Sequence, residues 1–119
     1  DHVDTDYCLK ALENNIKIYV NYDVCLDHSI GNRTVHKLLG VTIKPNHHSA
    51  LRKYYIVRNG THLSFYYLFR YPSYFYLNFL RVIHEVVCVI FYENGKTKKM
   101  KAIIKGLVHS VIGRLGIYE

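Results

Sequence analysis

The sequence has no tryptophan, only two prolines and only three cysteines. Cys8, Cys25 and Cys88 lie far apart and form neither a CxxC pair nor a zinc-ligand spacing. The pattern therefore argues against a zinc module and predicts buried thiols in a reducing compartment. Acidic residues are also scarce, with 9 Asp and Glu against 16 Lys and Arg, a formal net charge of +7. This excess indicates an anionic partner, which for charge alone is a nucleic acid, an anionic membrane surface or a phosphorylated ligand.

The composition is otherwise that of a folded protein. Half of the 119 residues are apolar and 12 are tyrosine. A chain of this length forms at most one small domain with a modest core. The apolar content excludes a disordered or polar low-complexity chain.

The first third of the sequence reads as a fragment of an α/β pattern. Apolar spacing predicts a short helix over residues 4–14, which the Asn14-Asn15 pair ends. Alternation then predicts a strand over 16–20 and a brief extended piece over 24–26. Residues 38–43 are consistent with a strand or with a covering loop. Two short strands do not make a sheet domain, so residues 1–35 are interpreted as the end of one.

The remaining residues, 36–119, are predicted to be mostly helical. Ser49 is the expected cap of a helix that runs to residue 71, where Pro72 stops it. Ser73 is the expected cap of the next helix, which extends to about residue 92. A third helix follows over residues 96–113. The predicted fold class is thus an α/β remnant followed by three consecutive helices, mostly α as a whole.

The helix over residues 73–92 is long and apolar enough to raise the question of a membrane span. Asn78, Arg81, His84 and Glu85 interrupt its centre. A charged side chain at the centre of a bilayer costs about 2.5 to 3.5 kcal/mol on the insertion scale. A buried or interfacial helix is therefore favoured over a transmembrane one.

The last helix combines an apolar face with four lysines that are candidates for facing a membrane. These are Lys98, Lys99, Lys101 and Lys105. The pattern is typical of a helix that lies in a membrane interface. It is equally typical of a core-packed helix with a solvated basic face, and the sequence leaves both open.

Four motifs in order resemble the inverting family-two glycosyltransferases, in particular rhamnosyltransferases that build surface polysaccharides. HVDTDYCLKA at residues 2–11 resembles the family's "hvDtdycLRa" segment. LDH at 26–28 resembles its acid-x-histidine turn, and LRKYYIVRN at 51–59 its "RxYYxxRN" helix. AIIKGLVHSVIGRLG at 102–116 resembles the motif near the family's end.

The resemblance implies that the chain is the carboxy-terminal part of a larger enzyme with a GT-A nucleotide-sugar-binding domain. Residues 1–35 would then be the end of that domain, on its acceptor side. The implied donor is a nucleotide sugar, dTDP-rhamnose-like, and the implied acceptor is a glycan or a polyprenyl-linked glycan. The implied location is cytoplasmic, peripheral at the inner face of the cell membrane. We do not expect this chain alone to transfer a sugar. We do expect it to self-associate through its helices.

The resemblance also assigns chemical roles. Asp4 would be the base that takes the proton from the acceptor hydroxyl, and Asp6 would support it. Taken alone, carboxylates at a helix start are as readily interpreted as caps. His28 would be a ligand of a divalent ion, Mn²⁺ or Mg²⁺, beside the diphosphate. A lone histidine in a turn is otherwise an ordinary solvent contact.

Four residues of the third motif are candidates for binding substrate: Arg52, Tyr55, Arg58 and Asn59. Arg52, Tyr55 and Asn59 recur at i, i+3 and i+7 and so share one helix face. That face would close over the donor diphosphate or the acceptor, because Arg binds phosphate oxygens bidentately. The alternative is a tyrosine-rich packing surface.

A rival hypothesis needs no enzyme. A non-enzymatic basic helical module would bind an anionic membrane or a nucleic acid through its net charge. It explains the lysines of the last helix but not Asp4, Asp6 and His28 together. For the glycosyltransferase, no nucleic-acid partner is expected.

Overall fold

The computed structural model describes residues 2–25, 33–38 and 40–118. Within them the chain is mostly helical, with one two-stranded antiparallel sheet. The elements in chain order are α1 (Val3–Glu13), β1 (His36–Leu38), β2 (Val41–Ile43), α2 (Ala50–Tyr66), α3 (Pro72–Phe91) and α4 (Lys96–Val111). The mostly helical fold class is confirmed.

The strand predicted over residues 16–20 is wrong. These residues, and also 24 and 25, have no regular structure, and Ile16, Ile18 and Val20 are exposed. Alternation produces a strand only where a second strand satisfies its backbone groups. Among the described residues the only ladder is the hairpin β1–β2, in which His36 is opposite Ile43. Gly40, with φ of 82°, immediately precedes β2.

The helix boundaries follow the sequence signals in part. Ser49 caps α2, because its hydroxyl accepts a hydrogen bond from the Arg52 backbone N–H at 3.2 Å. However, α2 ends at Tyr66, five residues earlier than predicted. Pro72 is the first residue of α3 and Tyr71 precedes it as the cap, so the assignment of Ser73 as the cap is wrong. Proline suits this position because its missing N–H would have no helical partner there.

The helices α2, α3 and α4 form the core. The buried centre consists of Val57, Val89 and Ile103, one from each helix. Contacts show α2 antiparallel to α3, since Phe65 meets Phe75 and Lys53 meets Glu85. The helices α2 and α4 pack closely at a glycine of α4.

Gly106 makes this close approach possible. A Cβ at Gly106 would lie 2.9 Å from the carbonyl oxygen of Tyr54 and 3.3 Å from the Arg58 backbone nitrogen. Both are main-chain atoms of α2, which cannot move away without shifting the helix. The glycine of the fourth motif is therefore a packing requirement of the α2–α4 pair.

A charged cluster is buried beside the core. Lys53 is 1% exposed, and its ammonium lies 2.5 Å from Glu85 and 2.8 Å from Glu93. Lys99 binds the second oxygen of Glu93 at 2.7 Å. Four charges thus connect α2, α3, the α3–α4 connection and α4. Burial by itself lowers the pKa of Lys53, but the hydrogen bonds that its ammonium donates to both carboxylates outweigh burial and raise that pKa.

The helix α3 buries both polar and apolar side chains and exposes a mostly apolar side. Asn78 and Glu85 are buried, as are Cys88 and Val89. The exposed apolar residues are Tyr76, Leu77, Phe79, Leu80, Ile83, Ile90 and Phe91, and Arg81 is exposed among them. By length and composition alone α3 is long and apolar enough to cross a membrane, and most of it is not buried inside this structure. A fully buried helix is therefore excluded.

The cysteines are only partly as predicted. All three are free thiols. Cys88 is buried, and burial raises its pKa to about 11. Cys8 is half-buried and Cys25 is exposed, so the prediction of buried thiols holds for Cys88 alone.

Candidate functional site

His2 attaches the start of α1 to the helical core. It occupies the position before the helix with φ of 71°. Its Nδ1 lies 3.3 Å from the Tyr74 hydroxyl and its Nε2 lies 3.5 Å from Arg81. A Cβ at Gly60 would be 2.8 Å from that same Nε2. The absence of a side chain at Gly60 thus makes room for His2 and places the carboxylate-bearing helix next to α2.

A cavity of about 280 Å³ opens between α1, α2 and the carboxy-terminal segment. Its lining residues are His2, Val3, Asp6, Arg58, Asn59, His62, Leu63 and Leu115. The structure therefore brings Asp6 of the first motif together with Arg58 and Asn59 of the third. Leu115 of the fourth motif closes the same cavity.

Asp4 and Asp6 point in different directions. Two residues along an α-helix correspond to a rotation of about 200°, so they lie on opposite faces of α1. Asp4 is exposed and does not line this cavity. Asp6 lines it and also accepts a hydrogen bond from Lys10 at 2.7 Å. Of the proposed base and its supporting residue, only the supporting one faces the cavity.

The interpretation of these carboxylates as helix caps is not supported. The cap position belongs to His2, and no side chain makes a capping hydrogen bond there. Asp4 and Asp6 lie in the first turn, where the positive end of the helix dipole favours a carboxylate.

Arg58 is committed largely to the chain itself. It is 4% exposed, and its Nη1 donates to the Gly116 carbonyl at 2.5 Å. Its Nε donates to the Asn59 side chain at 2.9 Å, and its guanidinium stacks 4.8 Å from the centre of the Tyr55 ring. This arginine fixes the carboxy-terminal segment over α2, and in doing so forms one wall of the cavity.

The three residues predicted to share one face of α2 have separate surroundings. The Tyr55 hydroxyl accepts a hydrogen bond from the Tyr118 backbone N–H at 2.9 Å. Asn59 lines the cavity with Asp6, whereas Arg52 lines a second cavity. The carboxy-terminal segment contacts one part of this helix face, and α1 lies beside another part. The helical period alone does not predict these separate surroundings.

The second cavity, of about 290 Å³, lies on the other side of His2. It is lined by His2, Thr5, Asn46, His48, Arg52, Ile56, Arg81 and Glu85. Burial, with the charge of Arg81 second, lowers the pKa of His2 to about 4. Burial, with the charge of Arg52 second, also lowers the pKa of His48. Both imidazoles are therefore neutral at pH 7, and the arginines supply the positive charge.

Sequence reasoning did not assign a role to Arg81, His2 or His48 in this cavity. Arg81 carried one usable signal, since a charged residue in the middle of an apolar helix needs a polar environment. His2 carried none, because its neighbours come from residues 60 to 81.

The four lysines of α4 have different environments. Lys98 and Lys101 are exposed. The ammonium of Lys99 is bound to Glu93, with a side chain 13% exposed. The ammonium of Lys105 lies 4.2 Å above the Tyr118 ring. Lys99 and Lys105 therefore interact with other side chains of the protein.

His28, the candidate metal ligand, lies outside the described residues. In residues 2–25, 33–38 and 40–118 no three His, Cys, Asp or Glu side chains are grouped closely enough to hold a metal ion. The described residues therefore do not supply a metal site by themselves.

Comparison with known proteins gives one informative similarity. Over 60 residues the chain is 40% identical to dTDP-rhamnosyl transferase RfbF of Shigella flexneri. The match covers 50% of this chain and 19% of that relative, so it concerns a small part of the longer protein. No family model and no solved structure matches the chain. Half of the chain is therefore similar to a short part of a dTDP-rhamnosyl transferase.

Proposed function

We propose that this chain is part of a glycosyltransferase that moves rhamnose from a nucleotide-sugar donor to a glycan or a polyprenyl-linked acceptor. The similarity to part of a dTDP-rhamnosyl transferase supports the reaction class. The single structural observation that carries the proposal is the cavity shared by Asp6, Arg58 and Asn59. Asp6 lies more than 50 positions from Arg58 and Asn59, and it comes from a different motif that resembles the same family.

The reaction needs a base, because the acceptor hydroxyl loses its proton as the glycosidic bond forms. In the proposed inverting mechanism Asp4 takes that proton while the nucleotide diphosphate leaves from the opposite face of the sugar. Asp6 lies on the other face of α1, so it supports the helix that carries Asp4 and lines the cavity with Asn59. Arg58 and Tyr55 hold the carboxy-terminal segment that closes the cavity.

We also propose a divalent ion, Mn²⁺ or Mg²⁺, beside the departing diphosphate. Its proposed ligand His28 lies outside the described residues, and the described residues form no ligand cluster. Such an ion would neutralise charge on the departing diphosphate. Manganese titration of the chain and of its His28→Ala variant tests this ligand independently of sugar transfer, since equal affinities would contradict it.

A chimera tests the proposed reaction. In the chimera, this chain replaces the aligned part of the Shigella flexneri relative. The replaced part also includes the flanking stretches of the relative that correspond to the other residues of this chain. Rhamnosyl transfer from dTDP-rhamnose to the acceptor of the parent enzyme is then measured. Transfer by the chimera and its loss in the Asp4→Asn variant would support both the function and the base. A folded chimera without transfer would contradict the function.

We further propose that the protein is peripheral at the cytoplasmic face of a membrane. The outward apolar side of α3 and the exposed Lys98 and Lys101 support this location. Vesicle flotation with neutral and anionic lipids provides the test, with the Lys98→Gln/Lys101→Gln variant for comparison. Flotation independent of both lipid charge and these lysines would contradict the proposed role of the lysines.

Membrane binding alone would also suit the non-enzymatic basic module, so the two functions need separate readouts. The enzyme predicts transfer by the chimera that Asp4→Asn removes. The module predicts vesicle binding and a folded but inactive chimera. The apolar side of α3 could also hold two copies of the chain together. Sedimentation would then show a dimer, and a monomer at high concentration would contradict self-association.

A further inference from the structure

The second cavity concentrates positive charge from two different helices. Arg52 comes from the first turns of α2 and Arg81 from the middle of α3, yet both line the same space of about 290 Å³. No regularity of the sequence relates these two positions. A cavity of this size is near the lower end of the range for small-molecule sites, roughly 300 to 1,000 Å³.

Among the described residues, the carboxylate that lines the cavity is already neutralised. Glu85 lines the cavity, but its Oε2 lies 2.5 Å from the ammonium of Lys53. Lys53 is 1% exposed and also binds Glu93. Glu85 therefore opposes an incoming anion much less than an isolated carboxylate would, and the arginines determine the sign of the cavity.

The other lining groups are uncharged, and all but Ile56 are polar. His2 and His48 both remain uncharged at pH 7 because burial disfavours their protonated forms. The Nε2 atom of His2 lies 3.5 Å from Arg81 and can only accept a hydrogen bond from it, so His2 orients the guanidinium. Thr5 and Asn46 contribute a hydroxyl and an amide, which can donate hydrogen bonds to an oxyanion.

From this arrangement we propose that the cavity lined by Arg52 and Arg81 is a binding site for the phosphate groups of a phosphorylated ligand, specifically a diphosphate ester. Two guanidinium groups that line one cavity match the several oxygens of a diphosphate, because each binds oxygens as a fork. The inference rests on the proposed function only in naming a diphosphate. Arg81, His2 and His48 are new members of the site.

Titration with inorganic pyrophosphate at constant ionic strength, followed by calorimetry, tests the site on the 119-residue chain. Arg81→Gln and Arg52→Gln are each expected to weaken binding by about ten- to a hundredfold, since hydrogen bonds to charged groups contribute about 1.5 to 3 kcal/mol. Lys101→Gln is the matched control. It removes the same charge from an exposed position on α4 and is expected to leave the affinity within about twofold.

A charge-preserving variant separates geometry from net charge. Arg81→Lys keeps the positive charge but loses the fork, so its affinity is expected to lie between those of the wild type and Arg81→Gln. Circular dichroism checks that each variant is folded. A folded wild-type chain that does not bind pyrophosphate would overturn the proposal. So would equal weakening by Arg81→Gln and Lys101→Gln.

Two competitors identify the source of the diphosphate. Displacement of pyrophosphate by dTDP assigns the site to a nucleotide diphosphate. Displacement by phosphatidylcholine vesicles that contain a polyprenyl diphosphate, but not by vesicles without it, assigns it to a lipid-linked diphosphate. Displacement by neither would contradict an esterified ligand. Because the readout is binding, an inactive chimera with intact pyrophosphate binding would reject the proposed function and not this site.

Discussion

The ammonium of Lys53 lies 2.8 Å from the carboxylate of Glu93, which is 40 residues later in the chain. Glu93 is 1% exposed, and its second oxygen is bound to Lys99. The contact connects α2 to the short segment between α3 and α4. Because Glu85 shares the same ammonium, Lys53 is the central charge of the buried cluster.

Replacing Lys53 by Met should strongly destabilise the fold. The substitution leaves Glu85 without its counterion and Glu93 with Lys99 alone, and breaking a buried ion pair typically costs about 3 to 5 kcal/mol. Urea unfolding followed by circular dichroism measures the loss. Lys101→Met, at an exposed site, is the control and should cost less than about 1 kcal/mol. Equal losses in the two variants would show that the cluster does not stabilise the fold.

The same cluster predicts a loss of stability in acid. Burial raises the pKa of Glu93, but the hydrogen bonds from Lys53 and Lys99 outweigh it, so the net pKa is below its ordinary 4.5. A lowered carboxyl pKa stabilises the fold above 4.5, and this contribution is lost as the pH falls through the folded value. Unfolding free energies measured across this range should decline in the wild type. Glu93→Gln should flatten the decline, and Asp4→Asn, at an exposed site, should not.

His2 predicts a separate effect at milder pH. Its folded pKa of about 4 lies below its ordinary 6.5, chiefly because of burial and then because of Arg81. The unfolded chain therefore binds the proton more readily between these values, and stability falls as the pH drops from 6.5 toward 4. At pH 5 the loss is on the order of 1 to 2 kcal/mol. His2→Gln should remove this part of the pH dependence, whereas His62→Gln should retain it.

Gly106→Ala should separate α2 from α4. The added methyl would lie 2.9 Å from the Tyr54 carbonyl oxygen and 3.3 Å from the Arg58 backbone nitrogen. Both are main-chain atoms, so no flexible side chain can move aside. Overpacking of this kind costs about 1 to 3 kcal/mol. Thermal unfolding measures it, with Gly116→Ala as the control because no atom lies within 4 Å of its added Cβ. An unchanged midpoint for Gly106→Ala would mean that the helices can move apart without cost.

Part of the fold could be predicted because its signals are local. Ser49 caps α2 through a hydrogen bond to a residue three positions later, and such a contact is readable from spacing. The apolar period of residues 96–111 similarly marks α4. The strand over residues 16–20 was predicted wrongly because a strand needs a partner that local alternation does not specify. Ser73 failed as a cap because Pro72 already suits the first helical position.

The candidate site was less predictable, because its members meet across the chain. The four motifs identified Asp6, Arg58 and Asn59, but neither their common cavity nor the exclusion of Asp4 from it follows from spacing. The second cavity depends on Arg52 of α2 and Arg81 of α3 lining the same space. That arrangement is set by the packing of the helices.

The sequence by itself determined the helical composition, the positive charge and the resemblance to rhamnosyltransferases, because these depend on residue types and short spacings. Only the tertiary structure decided which charges are buried and which side of α3 faces outward. Lys53 and Lys101 are indistinguishable in a local pattern, yet one is 1% exposed and holds two carboxylates while the other is exposed. The physical reason is desolvation, since a charge can be buried only where folding brings its counterions from distant parts of the chain.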